Sequence, residues 1–530
     1  MSFTSYEFIL AVAAVLVIYY SIPKRFQWMF LLGASYVLYF SAGPSYLIFI
    51  SITTLVTYLC ARKISSLSKE KTAYLKENKA TLDREAKKTY KEGVKKKQRL
   101  FLWGALFVDL GLLIGIKYTN FIIENINGII TSVSNMEPIS YLDIIMPLGI
   151  SFYTFQTVGY LVDVYNEKYE AQNNYGKFAL FVGFFPQLSQ GPISRYNDLS
   201  QTLYAEHRFD AKVVSFGLQR ILWGYFKKLV IADRVLIGLK TLLAAPEDYP
   251  GIYFFVAMMF YAIQLYADFT GGIDITIGIA ETMGIKVTEN FHRPYFSKNI
   301  KEYWNRWHIT MGSWFTDYVF YPLSFSRLMM KLSTWSRAKL GNAVGKRLPV
   351  YIATSVTWFL TGLWHGAAWN FIVWGMLNCL VILISQELEP LYRRFREKFP
   401  RLTASYGYHC FEATRTFLLM GLIRSLDCYA NVPLSFRMWG SMLTTFNYGS
   451  CFGGGILDLG LEIKDYVIIA LAVAVVAVVA KLSEKRDIRE WLLGKTALSW
   501  TLSAAILIAI ILFGAYSIGY DASQFIYTQF

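Results

Sequence analysis

Histidine and cysteine are scarce in this chain, with five of each among 530 residues. Cys60, Cys379, Cys410, Cys428 and Cys451 are odd in number and include no Cys-x-x-Cys pair, which argues against a disulfide framework and against a cysteine-built zinc site. Charge is short as well: Asp, Glu, Lys and Arg make up 17% of the residues, where soluble domains carry about 25%. The glycine-rich stretch 451–455 is not followed by Lys-Ser or Lys-Thr, so it is not a phosphate loop. The first apolar run, 8–22, has no basic region before it and no small-residue cleavage site after it, and reads as a retained helix rather than a signal peptide.

Apolar side chains fill the space these absences leave: 55% of the chain is hydrophobic and 17% aromatic. They fall into runs at 8–22, 28–41, 46–60, 101–117, 144–164, 252–269, 349–364, 371–385, 411–426, 466–482 and 500–517, with a weaker one at 120–134. A membrane span takes ~20 residues, and aromatic flanks extend the shorter runs, so the expectation is an all-α polytopic membrane protein of about 10–12 membrane helices. Run 178–188 is short and closes on Gln187, Gln190, Gly191 and Pro192, the mark of a re-entrant or broken helix. Such backbone is tolerated at membrane depth only where protein or a cavity surrounds it, which implies a buried chamber. Segment 213–245 reads as a helix interrupted by Lys227-Lys228 and Asp233-Arg234, where it would meet the cytoplasmic face. Asp268 and Asp274 flank a Gly271-Gly272 break, and ion binding, helix capping and orientation of a polar loop all remain open for them.

The formal charge is +15, and segment 61–100 holds fourteen Lys/Arg against five Asp/Glu. Basic residues accumulate in cytoplasmic loops, so this segment is read as a cytoplasmic, partly helical, surface-lying loop. Lys24 and Arg25 follow the first run and no charge separates the second from the third. That asymmetry places the N-terminus outside and 61–100 inside. No nucleic-acid motif accompanies the charge. Attraction for membrane lipids of negative charge, or for a phosphorylated donor, fits it better.

Two of the five histidines sit in tryptophan-rich stretches, His308 within 303–321 and His365 within 363–370, each directly after a tryptophan. Taken as one helix, 302–318 puts Trp304, Trp307, Met311, Trp314, Phe315 and Tyr318 on one arc, with Glu302, Arg306, Ser313 and Asp317 opposite. His308 lies on the apolar arc, where a buried structural histidine is the plain reading. His365 follows an apolar helix in the break Gly362-Leu363-Trp364-His365-Gly366. An ionisable residue inside a membrane marks a functional site by default, and flanking glycines let a substrate approach closely. An imidazole in apolar surroundings stays neutral at pH 7 and can take a proton from an attacking hydroxyl. Neither histidine has a third ligand nearby or His-x-x-x-His spacing, so no metal site is expected.

The stretch from Met283 to Ser297, containing Glu289-Asn290-Phe291-His292-Arg293-Pro294-Tyr295, is followed by Glu302-Tyr303-Trp304-Asn305-Arg306-Trp307-His308 and by Trp364-His365-Gly366-Ala367-Ala368-Trp369. With the segment 147–155, Gly191-Pro192-Ile193-Ser194-Arg195-Tyr196 and Asp268-Phe269-Thr270-Gly271, this ordered set closely resembles the membrane-bound O-acyltransferase family, and within it the alginate O-acetyltransferase branch. The resemblance covers about residues 1–430, taken as an acyltransferase core that includes the basic loop, with 431–530 as a C-terminal extension carrying two transmembrane helices. It implies a multi-helix fold around a buried chamber in a bacterial-type plasma membrane. It implies catalysis by His365 with His308 as a second active-site histidine. Trp304, Asn305, Trp307, Trp364, Asn370, Gln156 and Arg195 are the expected substrate-binding residues, although the branch carries a basic residue where this chain has Asn305. It further implies transfer of an acyl group, acetyl in this branch, from a cytoplasmic thioester such as acetyl-CoA towards hydroxyls of an extracellular polysaccharide, directly or through an extracytoplasmic partner acyltransferase, with no bound cofactor. Two other classes stay open: a transporter of polysaccharide or lipid-linked substrate, for which Asp268, Asp274 and the broken helices would serve, and a scaffold whose histidines are structural.

Overall fold

The computed structural model describes residues 3–516 apart from 134, 135, 189 and 485. All regular structure among them is helical, joined by one isolated antiparallel bridge between Phe291 and Trp307. Ser517, the expected end of the last span, and Ser134, that of the weak run, lie outside the described residues. Among the described residues six helices are long and apolar enough to cross a membrane: Tyr46–Glu77, Arg84–Lys117, Ile252–Thr282, Trp369–Glu387, Ile463–Leu482 and Thr496–Phe513. Helix Tyr6–Ser21 is apolar but shorter. The protein is an all-α, multi-pass membrane protein. Contacts divide the described residues into two units, 5–214 with 279–288, and 3–4 with 215–278 and 289–516.

In the first unit the basic segment is not a loop. Its two halves continue the membrane helices Tyr46–Glu77 and Arg84–Lys117, of 32 and 34 residues. At 1.5 Å per residue each is about 50 Å long, well beyond an apolar core of about 30 Å, so their ends leave the membrane as a charged hairpin. Asp83 caps the returning helix by accepting from the Ala86 amide at 2.6 Å. The amide of Gln98 ties the pair by donating to the Ile64 carbonyl at 3.1 Å and to Ser68 Oγ at 2.7 Å. The expected broken helix is present as Tyr175–Gly183 and Phe185–Leu188, parted at Phe184. Gln156 is buried on helix Ile150–Tyr165, and half-buried Arg195 precedes helix Tyr196–Leu203 in this same unit.

In the second unit two expectations fail. The first concerns Lys227, Lys228, Asp233 and Arg234, which do not meet water at a membrane face. All four are buried. Between helices Ala211–Tyr225 and Asp233–Ala244 the chain widens into a π-helical stretch, Phe226–Ala232. Such insertions shift side-chain direction within a helix, and here both lysines turn inward. Lys228 Nζ lies 2.6 Å from Asp268 and 2.7 Å from Asp233, and Lys227 Nζ lies 2.6 Å from Asp274. Arg234 pairs with Asp465. The second failure is the Gly-Gly break after Asp268, because Ile252–Thr282 runs through it unbroken. Glycine serves close packing there: a Cβ on Gly271 would stand 2.9 Å from the Gly224 carbonyl oxygen, and one on Gly224 would stand 2.6 Å from that of Gly271. Two helices thus touch through their backbones, as small residues permit in membranes.

Candidate active site

Both tryptophan-flanked histidines belong to the second unit. His308 does not sit within a continuous helix. The chain forms Ile300–Arg306 and Ile309–Phe315, seven residues each and too short to span, with His308 between them at φ 49°, ψ 53°. A left-handed backbone at a non-glycine residue needs outside support, and segment 290–292 supplies it. The His292 amide donates to the Arg306 carbonyl at 2.9 Å, and the Ile309 amide donates to the Asn290 carbonyl at 2.9 Å. Asn290 Oδ1 accepts from the Thr310 amide at 3.1 Å and from Thr310 Oγ1 at 2.9 Å, capping the second short helix from a distance.

The same oxygen faces His308 Nδ1 at 3.2 Å. A backbone N–H can only donate, so the atom of Asn290 facing Thr310 is the carbonyl oxygen, and Nδ1 of His308 must carry the hydrogen it gives to that oxygen. The neutral ring then presents Nε2 as its acceptor nitrogen. Burial, with the nearby Arg424 guanidinium adding to it, pushes the imidazole down to about 3, which keeps it neutral. Phe269 stands edge-on to the ring at 5.0 Å between centroids.

His365 ends helix Arg327–His365 and is buried. It is placed by backbone contact with the following helix, Trp369–Glu387. A Cβ on Gly362 would lie 2.4 Å from the Phe371 carbonyl oxygen, and one on Gly375 would lie 2.5 Å from that of Trp358. We expect Gly362→Ala to force these helices apart, lowering stability by about 1–3 kcal/mol and moving His365, whose position depends on the crossing. Thermal unfolding and acyl transfer measured on one preparation check this; two unchanged values would refute it.

The histidines flank one indole. Trp364 lies edge-on to both, at 5.9 Å from His308 and 5.1 Å from His365. His365 also meets Trp374 at 4.8 Å. Arg424 also packs on Trp374, its guanidinium carbon 4.8 Å from that ring, 5.1 Å from Trp307 and 5.6 Å from Trp304. Arg424 is buried and donates to Asp427 at 2.9 Å. Trp304 is fixed through its Nε1–H to Asn378 at 3.1 Å. The expected residues Trp304, Trp307 and Trp364 therefore share one aromatic cluster with the two histidines. Asn370 is buried on the helix after His365 and donates to the Leu426 carbonyl at 3.4 Å. Asn305 is exposed and makes none of the cluster's contacts among the described residues.

Asn290, Arg424 and Asp427 were missed. Asn290 lies inside the motif 289–295 but shows no property in sequence that separates it from its neighbours. Arg424 gave a usable signal, since it is a charge within the apolar run 411–426. Among the described residues no group of three or more His, Cys, Asp or Glu side chains is arranged to hold a metal ion.

Two buried imidazoles in one aromatic cluster with a buried guanidinium suit proton transfer from a hydroxyl and support of a developing oxyanion. The model of the membrane-bound O-acyltransferase family matches residues 171–336, which include His308. A "probable alginate O-acetylase" of Azotobacter vinelandii is 30% identical over 469 residues, covering 87% of this chain and 81% of that protein. The chain belongs to the membrane-bound O-acyltransferase family. A peptidoglycan O-acetyltransferase of Helicobacter pylori is 31% identical, over 58% of this chain and 59% of its own length. A teichoic acid D-alanyltransferase of Bacillus subtilis is 29% identical, over 47% of this chain and 61% of its own. As a member of this family the protein is a membrane O-acyltransferase.

Proposed function

We propose that this O-acyltransferase moves an acetyl group from a cytoplasmic thioester, acetyl-CoA or another acyl carrier, towards hydroxyls of an extracellular polysaccharide. The single observation that carries the reading is the pair of buried imidazoles flanking Trp364. In the reaction the acceptor oxygen attacks the thioester carbonyl carbon while His365 takes the hydroxyl proton. The tetrahedral intermediate collapses, the carbon–sulfur bond breaks, and the proton returns from His365 to the leaving thiolate. His308, held by Asn290, orients the acceptor through its Nε2 lone pair, and Arg424 supports the oxyanion from the aromatic face. Trp304, Trp307, Trp364 and Asn370 line the substrate path.

The three relatives' names all describe acyl transfer to cell-surface polymers, and two of the three specify acetyl. That supports a polysaccharide acceptor and a bacterial plasma membrane. The Lys/Arg excess of the charged hairpin of 61–100 supports a cytoplasmic side for it and an N-terminus outside, and the hairpin would offer an anionic carrier a basic surface. Residues 1–430 form the acyltransferase core, 431–530 an extension with two spans, and delivery to the polymer is direct or passes through an extracytoplasmic partner acyltransferase. Transport by ion coupling loses its main support, since Asp268 and Asp274 are engaged by Lys228, Lys227 and Arg220.

The test uses proteoliposomes given labelled acetyl-CoA and surface polysaccharide. Free thiol should appear in proportion to ester formed on the polymer. Movement of polymer across the bilayer with no thiol released would overturn the reading.

A further inference from the structure

One cleft of the second unit lies outside the histidine cluster. Its polar end, a cavity of about 200 Å³, is lined by Arg220, Lys227, Asp274, Glu289, His292 and Arg293. Its apolar end, of about 170 Å³, is walled by Ile231, Ile263, Ala267, Val473, Val476 and Ala480. Lys227, Tyr266, Arg293, Val476 and Ala480 line both, so the two ends form one continuous site. Phe291 lines the polar end and stands between it and His308, 6.4 Å from that ring.

Most charge at the polar end is cancelled internally. Arg220 reaches Glu289 through two hydrogen bonds of 2.6 Å and Asp274 at 2.9 Å, and Lys227 takes the other oxygen of Asp274 at 2.6 Å. Arg293 differs. The carboxylate paired with it, Glu484, is 3.7 Å away and already accepts from Lys481 at 2.5 Å. Its Nη2 lies 3.2 Å from His292 Nε2, and its buried Nε has no partner among the described residues. Its backbone is left-handed, φ 50°, which is uncommon for arginine, and its side chain lines both ends of the cleft. A fork of donors with capacity to spare matches a phosphate group.

The apolar end has a matching character. Helix Ile463–Leu482 exposes Val467, Leu471, Val475 and Val478 outward, as a helix bathed in acyl chains does, while Val473, Val476 and Ala480 wall the slot. Glu484, beside Arg293, follows that helix's C-terminal end, so the cation sits where the span stops and headgroups begin. A phosphate recogniser at the membrane boundary, continuous with an apolar slot along a lipid-facing helix, has the two-part chemistry of a phospholipid.

We propose that this cleft binds an anionic phospholipid, with its phosphate on Arg293 and one acyl chain in the slot. The site is independent of the acyl-transfer reading, and its test does not use enzymatic activity. The full-length protein, purified and stripped of lipid in detergent, is titrated separately with phosphatidylglycerol, phosphatidylcholine, inorganic phosphate and coenzyme A while thermal unfolding is followed. Phosphatidylglycerol is expected to raise the midpoint more than phosphatidylcholine does, and the two soluble phosphates to leave it unchanged. Arg293→Asn removes the guanidinium while keeping a residue tolerant of the left-handed backbone, and should weaken phosphatidylglycerol on the order of tenfold. Val473→Phe fills the slot from a position that lines only the apolar end and should weaken it comparably, so it decides the matter alone if the first variant fails to fold. Stabilisation equal in parent and variants, no stabilisation by phosphatidylglycerol, or stabilisation matched by coenzyme A or phosphate would each overturn the proposal.

Discussion

Replacement of His365 by alanine is expected to lower acyl transfer by roughly 10²–10⁴-fold, the range that a positioned general base supplies, with the protein still inserted and folded. The ring lies against Trp364 and Trp374, which are held in turn by Trp304, Trp358 and the helix crossing at Gly362, so the surrounding frame persists without it. His365→Gln fills most of the space with a side chain that cannot take up the proton, and should be as inactive as alanine. His308→Ala should come next in severity. Asn290→Ala should be milder, since it leaves the ring present but loosely oriented. That gradation separates chemistry from architecture: were the histidines structural, loss of activity would track loss of thermal stability across the four variants. Near-normal transfer by His365→Ala in a folded protein would end the proposed mechanism.

Lys228→Met is expected to be the most damaging substitution to stability, at about 3–5 kcal/mol. Lys228, Asp233 and Asp268 are all almost fully buried, and the ammonium bridges two carboxylates at 2.7 and 2.6 Å. Removing the cation leaves two anions facing each other in a medium that solvates neither. Adding Asp233→Asn and Asp268→Asn to the same chain should recover much of the loss, because the penalty comes from the uncompensated charge rather than from the absent lysine. Unfolding midpoints in one detergent compare the three proteins. A single variant that melts with the parent would show that the carboxylates are protonated or hydrated, and that the ion pairs contribute little.

The spans were legible in the sequence because a membrane helix is defined by composition over its whole length, and no partner is needed to recognise it. The histidine pair was legible for a related reason: two tryptophan-histidine steps, one inside a glycine-bounded break, are local. The break at His308 was not. Apolar residues recur at helical spacing on both sides of it, at Trp304, Trp307, Met311 and Trp314, and nothing local interrupts the pattern. What reverses the backbone is the grip of Asn290 and His292, eighteen and sixteen residues upstream of His308, through the contacts His292–Arg306 and Asn290–Thr310. Lys227 and Lys228 misled in the opposite direction. Charges in an apolar segment ordinarily mark water, and these find their counterions some forty residues further on, along Ile252–Thr282. In each case the missing information lies in contacts between distant segments.

The crowding of indoles around the histidines has an optical consequence. Trp304, Trp307, Trp364 and Trp374 lie in contact with His308, His365 or Arg424, and indole emission responds to the polarity and charge around the ring. The protein therefore carries its own fluorophores at the candidate active site. Arrival of a thioester, expulsion of water or a proton appearing on either imidazole would register as a change in colour or intensity without any added label, on the timescale of a single turnover.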